Sequence, residues 1–486
     1  MVFLDWKAIV GVLGALLVVL GVALLVPAAV GLAYGEPAWQ SFAATAAGAL
    51  GAGAAAWSLL RPEDELNARE GFLIVSLAWL VLSLVGALPW VLAGLVPTFA
   101  DAFFETMSGF TTTGATILSG ATTPAIEDVP RAFLLWRSLT HWLGGMGIIL
   151  LTLAVLPLLG VGAMQLFRAE VPGLEADKLT PRVAGTAVRL WGIYAALTLL
   201  QTLSLLPAMS PFEAVNHAFA TLATGGFSTR NGSVGDFGSA YVEWVVTAFM
   251  VLAGINFSLH YALLHGRVRA VLAASELRVY LALALGATLV VAAALWAAAT
   301  PGTDALRLAA FQVVAILTTT GFGTADYELW PPLAAGVLFL LFFAGGMAGS
   351  TAGGVKVLRH MLLSRLAVRE LRALVHPQAV LPLRHDGRVV PEAVARAVLA
   401  FAVLYAGLVL AGTLGLTLLG QDVLGAFTAA ASCVGNIGPA FGTFGPAETY
   451  THLPAAGKWL LALLMMAGRL EIFTVLVLFS PGFWRR

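Results

Sequence analysis

The sequence predicts an all-α integral membrane protein: four tandem helix–pore loop–helix repeats around a central pore, plus two additional N-terminal transmembrane helices, ten spanning helices in all. Three observations predict it. Of 486 residues, 59% are apolar and 11% charged, with a mean hydropathy of +0.91, whereas soluble domains carry about 25% charged residues. Apolar runs of roughly 20 residues, the length that crosses a bilayer, recur along the whole chain. Between alternate pairs of these runs lie four shorter segments that end in glycine and threonine. The 26 basic and 26 acidic residues cancel, so no global field draws nucleic acid. A single cysteine excludes a disulfide framework and a multi-cysteine metal site.

The first run, Ala8 to Leu32, is too long for a cleaved signal peptide and reads as a retained helix. The second spans Ala38 to Leu60, and eight more follow at about 71–95, 131–156, 186–206, 240–264, 277–299, 333–358, 392–419 and 456–480. The polar stretches 100–120, 211–229, 304–324 and 422–443 are too short to span and read as re-entrant, helix in and extended chain out. Residues 1–66 then hold the additional pair, and 67–165, 166–270, 271–375 and 376–486 hold the four repeats. Most lysines and arginines, including Lys7, Arg168, Lys178, Arg267 and the run from Lys356 to Arg396, fall in one set of loops. By the positive-inside rule that side is cytosolic, with both termini, and the re-entrant segments enter from outside.

The four turns read TTTGAT (Thr111–Thr116), LATGGFST (Leu222–Thr229), LTTTGFGT (Leu317–Thr324) and SCVGNIG (Ser432–Gly438). Aligned on their first glycines, Gly114, Gly225, Gly321 and Gly435, they repeat at a spacing of roughly 100 residues. Non-helical backbone at membrane depth survives where it lines water or protein. Four such turns converging on an axis present rings of carbonyl oxygens, which replace the hydration shell of a monovalent cation. The C-terminal dipole ends of the preceding helices favour the same charge. Four unrelated Gly/Thr-rich hairpin loops are the plainer reading, and recurrence of one pattern four times speaks against it.

The third turn, Thr319-Thr320-Gly321-Phe322-Gly323, is a near match to the TVGYG filter of potassium channels. With Arg137-Ser138-Leu139-Thr140-His141-Trp142-Leu143-Gly144-Gly145-Met146-Gly147, the segment Gly345–Gly354, and Gly468-Arg469-Leu470-Glu471-Ile472-Phe473, the chain from about residue 70 onward resembles the TrkH/KtrB/HKT family of potassium transporters. The two extra N-terminal helices look like its TrkH branch. The resemblance implies potassium uptake across the bacterial cytoplasmic (inner) membrane, with potassium as the transported ion and no cofactor in this chain. It implies filter carbonyls from Thr112, Thr113, Ala223, Thr224, Thr319, Thr320, Cys433 and Val434, beside Gly114, Gly225, Gly321 and Gly435. A glycine at position 114 implies preference for potassium over sodium. Ala115, Gly226 and Asn436 stand where TVGYG has its aromatic, which implies a wider outer filter. Cys433 stands where the channel has threonine and contributes its carbonyl only.

Beneath the third turn, Gly345–Gly354 holds five glycines. Each costs a helix roughly 0.5–1 kcal/mol relative to alanine, so the span unwinds here into a flexible loop. Gly345, Gly346, Gly349, Ser350, Thr351, Gly353 and Gly354 are the expected gate, unless the small residues serve close helix packing. Arg469 lies deep in the last span, where an arginine costs about 2.5–3.5 kcal/mol and therefore faces a pore or a buried partner. Glu471 points to a different face and does not pair with it. In the family the arginine at this position lies below the filter, as a barrier to cations.

An enzyme is the first rival class, and no nucleophile–base constellation is readable among the scattered histidines. A secondary transporter of an organic solute would need inverted repeats, and these run parallel. A symporter coupled to protons or sodium on the same fold stays open. The cytosolic connection from Lys356 to Arg396 is basic, as positive-inside bias and contact with the lipid bilayer explain. Through the resemblance it becomes a docking surface for a cytosolic TrkA-like nucleotide-binding ring on a homodimer. No nucleic acid is implied.

Overall fold

The computed structural model describes residues 4–60, 66–154 and 180–484. The first two helices, Trp6–Ala33 and Trp39–Leu59, run back along each other with glycines at the crossing. A Cβ on Gly53 would fall 2.6 Å from the Gly14 carbonyl oxygen, so only the smallest residue lets these backbones touch. Glu36, between them, accepts hydrogen bonds from the Arg131 and Ala132 amides at 2.9 and 3.1 Å. It thereby caps the positive end of helix Arg131–Ala154 and fastens the pair to the rest of the chain.

Six helices among the described residues are long and apolar enough to cross a bilayer: the first two, then Arg69–Leu92, Ala187–Leu205, Ser275–Ala297 and Glu392–Leu418. Two bent pairs bring the number to eight: Ala240–Ala253 with Phe257–Leu264 at 96°, and Ala455–Arg469 with Phe473–Phe479 at 112°. The sequence expects ten. Of the remaining two, 131–156 is helical from Arg131 to Ala154, where the described residues stop. The other, 333–358, is interrupted: Pro332–Leu341 ends before the glycine-rich segment, and a new helix, Val357–Val375, starts after it. The expected boundary between the first two repeats, with Arg168 and Lys178, lies outside the described residues.

The exposed face of Glu392–Leu418 carries Leu399, Val403, Leu410, Leu414 and Leu418, while Val394, Val398, Phe401, Tyr405 and Val409 are buried. An apolar stripe of this length on the outer surface has lipid as its solvent. The chain is a multi-pass membrane protein, mostly helical, with one short antiparallel hairpin, Arg384–His385 with Arg388–Val389, among the described residues.

Four further helices are short: Phe99–Phe110, Pro211–Leu222, Gly302–Leu317 and Val423–Gly435. At ~1.5 Å per residue they reach ~18–24 Å, less than the ~30 Å of a hydrocarbon core. Capping boxes start the first two, Thr98 with Asp101 and Ser210 with Glu213, and Asp422 caps the fourth. Their C-terminal ends meet.

Candidate ion pathway and gate

Each short helix closes in the same way. After the first, the Thr112 amide donates to Gly109 O (3.0 Å) and the Thr113 amide to Ser108 O (2.9 Å). The same pair of bonds recurs from Thr224 to Thr221 and Gly225 to Ala220, from Thr319 to Ile316 and Thr320 to Ala315, and from Asn436 to Cys433 and Ile437 to Ser432. This is the Schellman closure, which requires a left-handed residue just past the helix. Thr112, Thr224, Thr319 and Asn436 supply it with φ of 52°, 54°, 56° and 55°. Three β-branched residues in this region are costly, about 1–2 kcal/mol each, and such strain gathers at functional sites. Two residues on, Gly114, Gly226, Gly321 and Gly438 have φ of 80°, 83°, 73° and 102°.

This backbone equivalence corrects the sequence alignment in two turns. Gly226, rather than Gly225, matches Gly114 and Gly321, and Gly438, rather than Gly435, is the fourth member. Aligning on the first glycine fails because LATGGF has two in a row, and because Gly435 is the last residue of its helix. Cys433 and Val434 are helical too: the Cys433 carbonyl accepts from the Asn436 amide, and the Val434 carbonyl is covered by Gly468. Ala223 caps the second short helix, and its carbonyl accepts the Thr224 hydroxyl at 2.6 Å. The residues after the ring glycines are Ala115, Phe227, Phe322 and Pro439, so the second turn keeps an aromatic that Gly226 does not replace, and in the fourth Pro439, not Asn436, takes that place.

The glycines also show how the turns meet. A Cβ on Gly114 would strike the Gly225 carbonyl oxygen; on Gly226, that of Thr320; on Gly321, that of Ile437; on Gly438, that of Thr113. Thr113, Gly225, Thr320 and Ile437 are equivalent positions, so first touches second, second third, third fourth and fourth first. The ring is closed, and all four glycines line one cavity of about 220 Å³ at its mouth.

Side chains on the short helices hold the extended strand that follows each turn. Glu105 accepts the Ile117 amide and the Thr116 hydroxyl at 3.0 Å and pairs with Arg137 at 2.8 Å, both nearly fully buried. Arg137 reaches on to the Ser228 carbonyl (2.9 Å) and lies 4.0 Å over the Phe227 ring. His141 stacks on Phe227 at 4.1 Å and fills the space that a Cβ on Gly225 would need. In the later turns His217 meets the Ser228 hydroxyl (2.9 Å), Gln312 accepts the Thr324 amide (3.2 Å), and Thr428 the Phe441 amide (3.2 Å). Lys458 ties the last repeat to Asp101 at the start of the first short helix (2.5 Å). Sequence reasoning missed these braces, although an arginine and a glutamate inside apolar helices were the signal.

Below the ring the glycine-rich segment forms a loop pinched at its base by a bridge between Gly345 and Gly354. The loop spans several repeats. The Gly353 amide donates to the Thr319 hydroxyl (2.7 Å), and Gly353 abuts the Gly435 carbonyl. The Thr351 hydroxyl donates to Leu222 O (2.9 Å) and Ala253 O (3.2 Å). The Gly349 carbonyl accepts the Phe257 amide (3.1 Å), and the Ser350 hydroxyl closes back on Met347 O (2.6 Å). Gly346 O accepts the Val357 amide (3.1 Å). Arg469, buried, donates to Thr351 O (2.8 Å) and to Gly144 O (3.2 Å), so one guanidinium joins the last helix, the loop and the first repeat. Glu471 turns away to pair with Arg359 at 2.6 Å. A residue that sequence reasoning missed, Glu276, accepts the Ala348 and Leu358 amides at 2.8 and 3.2 Å, one from the loop and one beyond it.

The family model for TrkH, described as a cation transport protein, matches residues 38–485. The chain belongs to the TrkH family. It is 40% identical over 491 residues to the Trk system potassium uptake protein TrkH of Halomonas elongata, covering 99% of this chain and all of that one. It is also 40% identical over 489 residues to the protein of that name from Escherichia coli K12, with the same coverage. The crystal structure of the potassium transporter TrkH from Vibrio parahaemolyticus superposes with a TM-score of 0.90 at 38% identity, over 99% of this chain and 100% of that one. TrkH membership thus rests on nearly the whole length, the closed ring and the loop included.

Proposed function

We propose that the chain takes up potassium across a cytoplasmic membrane through a channel-like pore. Its filter is the backbone of Thr112–Gly114, Thr224–Gly226, Thr319–Gly321 and Asn436–Gly438. The closed ring of four equivalent turns on one cavity carries this reading, and the full-length relatives named as potassium uptake proteins support it. Carbonyl oxygens on all sides of the ring replace the water shell of a dehydrated cation. The four helix C-termini behind them add negative potential without any carboxylate in the turns.

The loop beneath is the gate. Arg469 places a positive charge on the ion's route and holds the loop there through Thr351 O, so opening requires that bond to break. Thr319, which belongs to the filter and bonds Gly353, couples the two. Both termini are cytosolic in this reading, two copies form a homodimer, and the basic stretch from Lys356 to Arg396 receives a cytosolic TrkA-like nucleotide-binding ring. Rubidium uptake in a bacterium that lacks its own potassium systems tests the filter. Rescue at low potassium that Gly321→Ser abolishes is expected. Rescue that survives substitution of Gly114, Gly226, Gly321 and Gly438 together refutes it.

A further inference from the structure

The helix that leaves the loop, Val357–Val375, lies beside the hairpin Arg384–His385/Arg388–Val389. Between them is a cavity of about 440 Å³ whose lining includes Arg365, Arg369, Arg372 and Arg384, with Val368 and Leu383 on its apolar wall. The four guanidinium groups are not equivalent. Arg369 is neutralised by Glu370 at 2.9 Å and by Glu392. Arg365 donates to the Arg384 carbonyl (2.7 Å) and contacts His385 Nδ1 (3.1 Å). Burial pushes the His385 imidazole below the usual histidine range; Asp386 pulls it up and Arg365 presses it further down. Because a guanidinium only donates, His385 Nδ1 is the acceptor of this contact and leaves the Arg365 charge in place. Among the described residues no carboxylate pairs with Arg365, Arg372 or Arg384.

Three uncompensated guanidinium groups around one cavity repel one another, and an anion with several oxygens between them removes that repulsion. Guanidinium forks match phosphate oxygens two at a time. Leu371 and Val375, exposed at i+3 and i+7 from Val368 on the same helix, extend its apolar edge beside the cationic rim. Cationic rim and apolar wall together suit an amphiphile at a membrane surface. We propose that this cavity binds a phosphate group, supplied by the headgroup of an anionic phospholipid. The site stands independently of the transport reading, and it leaves the rest of the basic stretch, Arg388 and Arg396 among it, to the proposed cytosolic ring. Its position gives it a bearing on the loop, because Leu383 and Val390, on either side of the hairpin, share a buried cluster with Leu358 and with Ala348 of the loop.

The test uses the full chain purified in detergent, with fluorescent phosphatidylglycerol and inorganic phosphate titrated separately. Arg372→Gln combined with Arg384→Gln should weaken binding about tenfold, the scale of losing charge-assisted contacts. Arg267→Gln with Arg269→Gln removes the same charge from another exposed site and should leave binding unchanged. Arginine-dependent binding of the lipid, with or without phosphate, supports the headgroup as the source; arginine-dependent binding of phosphate alone identifies free phosphate and overturns the lipid source. No binding of either probe by the unaltered protein, equal loss in both double variants, or no loss in the Arg372/Arg384 variant overturns it.

Discussion

The four turns at the mouth repeat one backbone, with φ of 52°, 54°, 56° and 55° at the left-handed residue, whereas the segments beneath them break in different ways. The second repeat bends by 96° after Ala253 and the fourth by 112° after Arg469, where Glu471 and Ile472 both have positive φ. The third unwinds into the glycine-rich loop, and the helix from Arg131 runs unbroken to Ala154. Under the proposed function, the difference follows from what each half does. A cation held from all sides needs equivalent ligands, so symmetry is enforced on the backbone even though the braces behind it differ from turn to turn. In the proposed gate, control needs one movable element, which matches the loss of symmetry below the ring.

The largest effect is expected where the symmetry is tightest. Gly321→Ser puts an L-residue at φ 73° and drives its Cβ into the Ile437 carbonyl. The conformation alone costs about 1–2 kcal/mol, and the clash displaces the neighbouring turn as well. Rubidium uptake should fall at least tenfold, the equivalent of ~1.4 kcal/mol in rate. Gly226→Ala and Gly438→Ala should do the same, since each meets the next carbonyl in the ring. If one of the three is silent, the ring is not functionally fourfold.

The braces come next. Arg137→Met leaves the Glu105 carboxylate buried with only the Thr116 hydroxyl and Ile117 amide. Breaking a buried pair from one side costs about 3–5 kcal/mol. Thermal melting in detergent should show a large drop, and adding Glu105→Met should recover much of it. Recovery of stability without recovery of uptake would show that Arg137, through Phe227 and Ser228, positions the second turn.

Which turns were legible in the sequence follows the same contrast. The first and third have the T-T-G pattern, and aligning on glycine found Gly114 and Gly321 in their observed places. The second and fourth were misread because φ, rather than residue identity, decides between Gly225 and Gly226, and between Gly435 and Gly438. Asn436 carries the better signal, since asparagine tolerates the left-handed region. The break at Gly345–Gly354 was legible because helix propensity is local. The Arg137–Glu105, Lys458–Asp101 and Arg359–Glu471 pairs join distant segments. Without a register for their helices, nothing in the linear order brings them together.

Below the ring, two substitutions grade the coupling. Arg469→Ala removes the bonds to Thr351 O and Gly144 O together with the charge. With charged hydrogen bonds worth ~1.5–3 kcal/mol, rubidium flux in the resting state should rise about tenfold, and unchanged flux would remove the gating role. Thr319→Val is smaller. It keeps the filter backbone and deletes only the acceptor for the Gly353 amide, a loss of ~1–3 kcal/mol. Flux should rise by less than in Arg469→Ala, with the preference for rubidium over sodium unchanged. A changed preference would mean that the Thr319 side chain shapes the filter itself.

The smallest effect is the most discriminating for the register of the fourth turn. Gly435 and Gly438 lie on the same short stretch, and alignment by motif chooses the first of them. Gly435 ends its helix without a positive φ, and a Cβ there would meet the flexible end of Ile437 at 3.1 Å and the Tyr405 hydroxyl at 3.3 Å. A shift of a few tenths of an ångström in the Ile437 side chain makes room. Alanine also favours the helix by ~0.5–1 kcal/mol over glycine, which offsets that shift. Gly435→Ala should therefore leave uptake within about twofold of the parent, a change near 0.4 kcal/mol. Gly438→Ala, at φ 102° and pressed on the Thr113 carbonyl, should abolish it. The opposite order would return Gly435 to the ring and make the Schellman closure at Asn436 a helix end with no part in coordination.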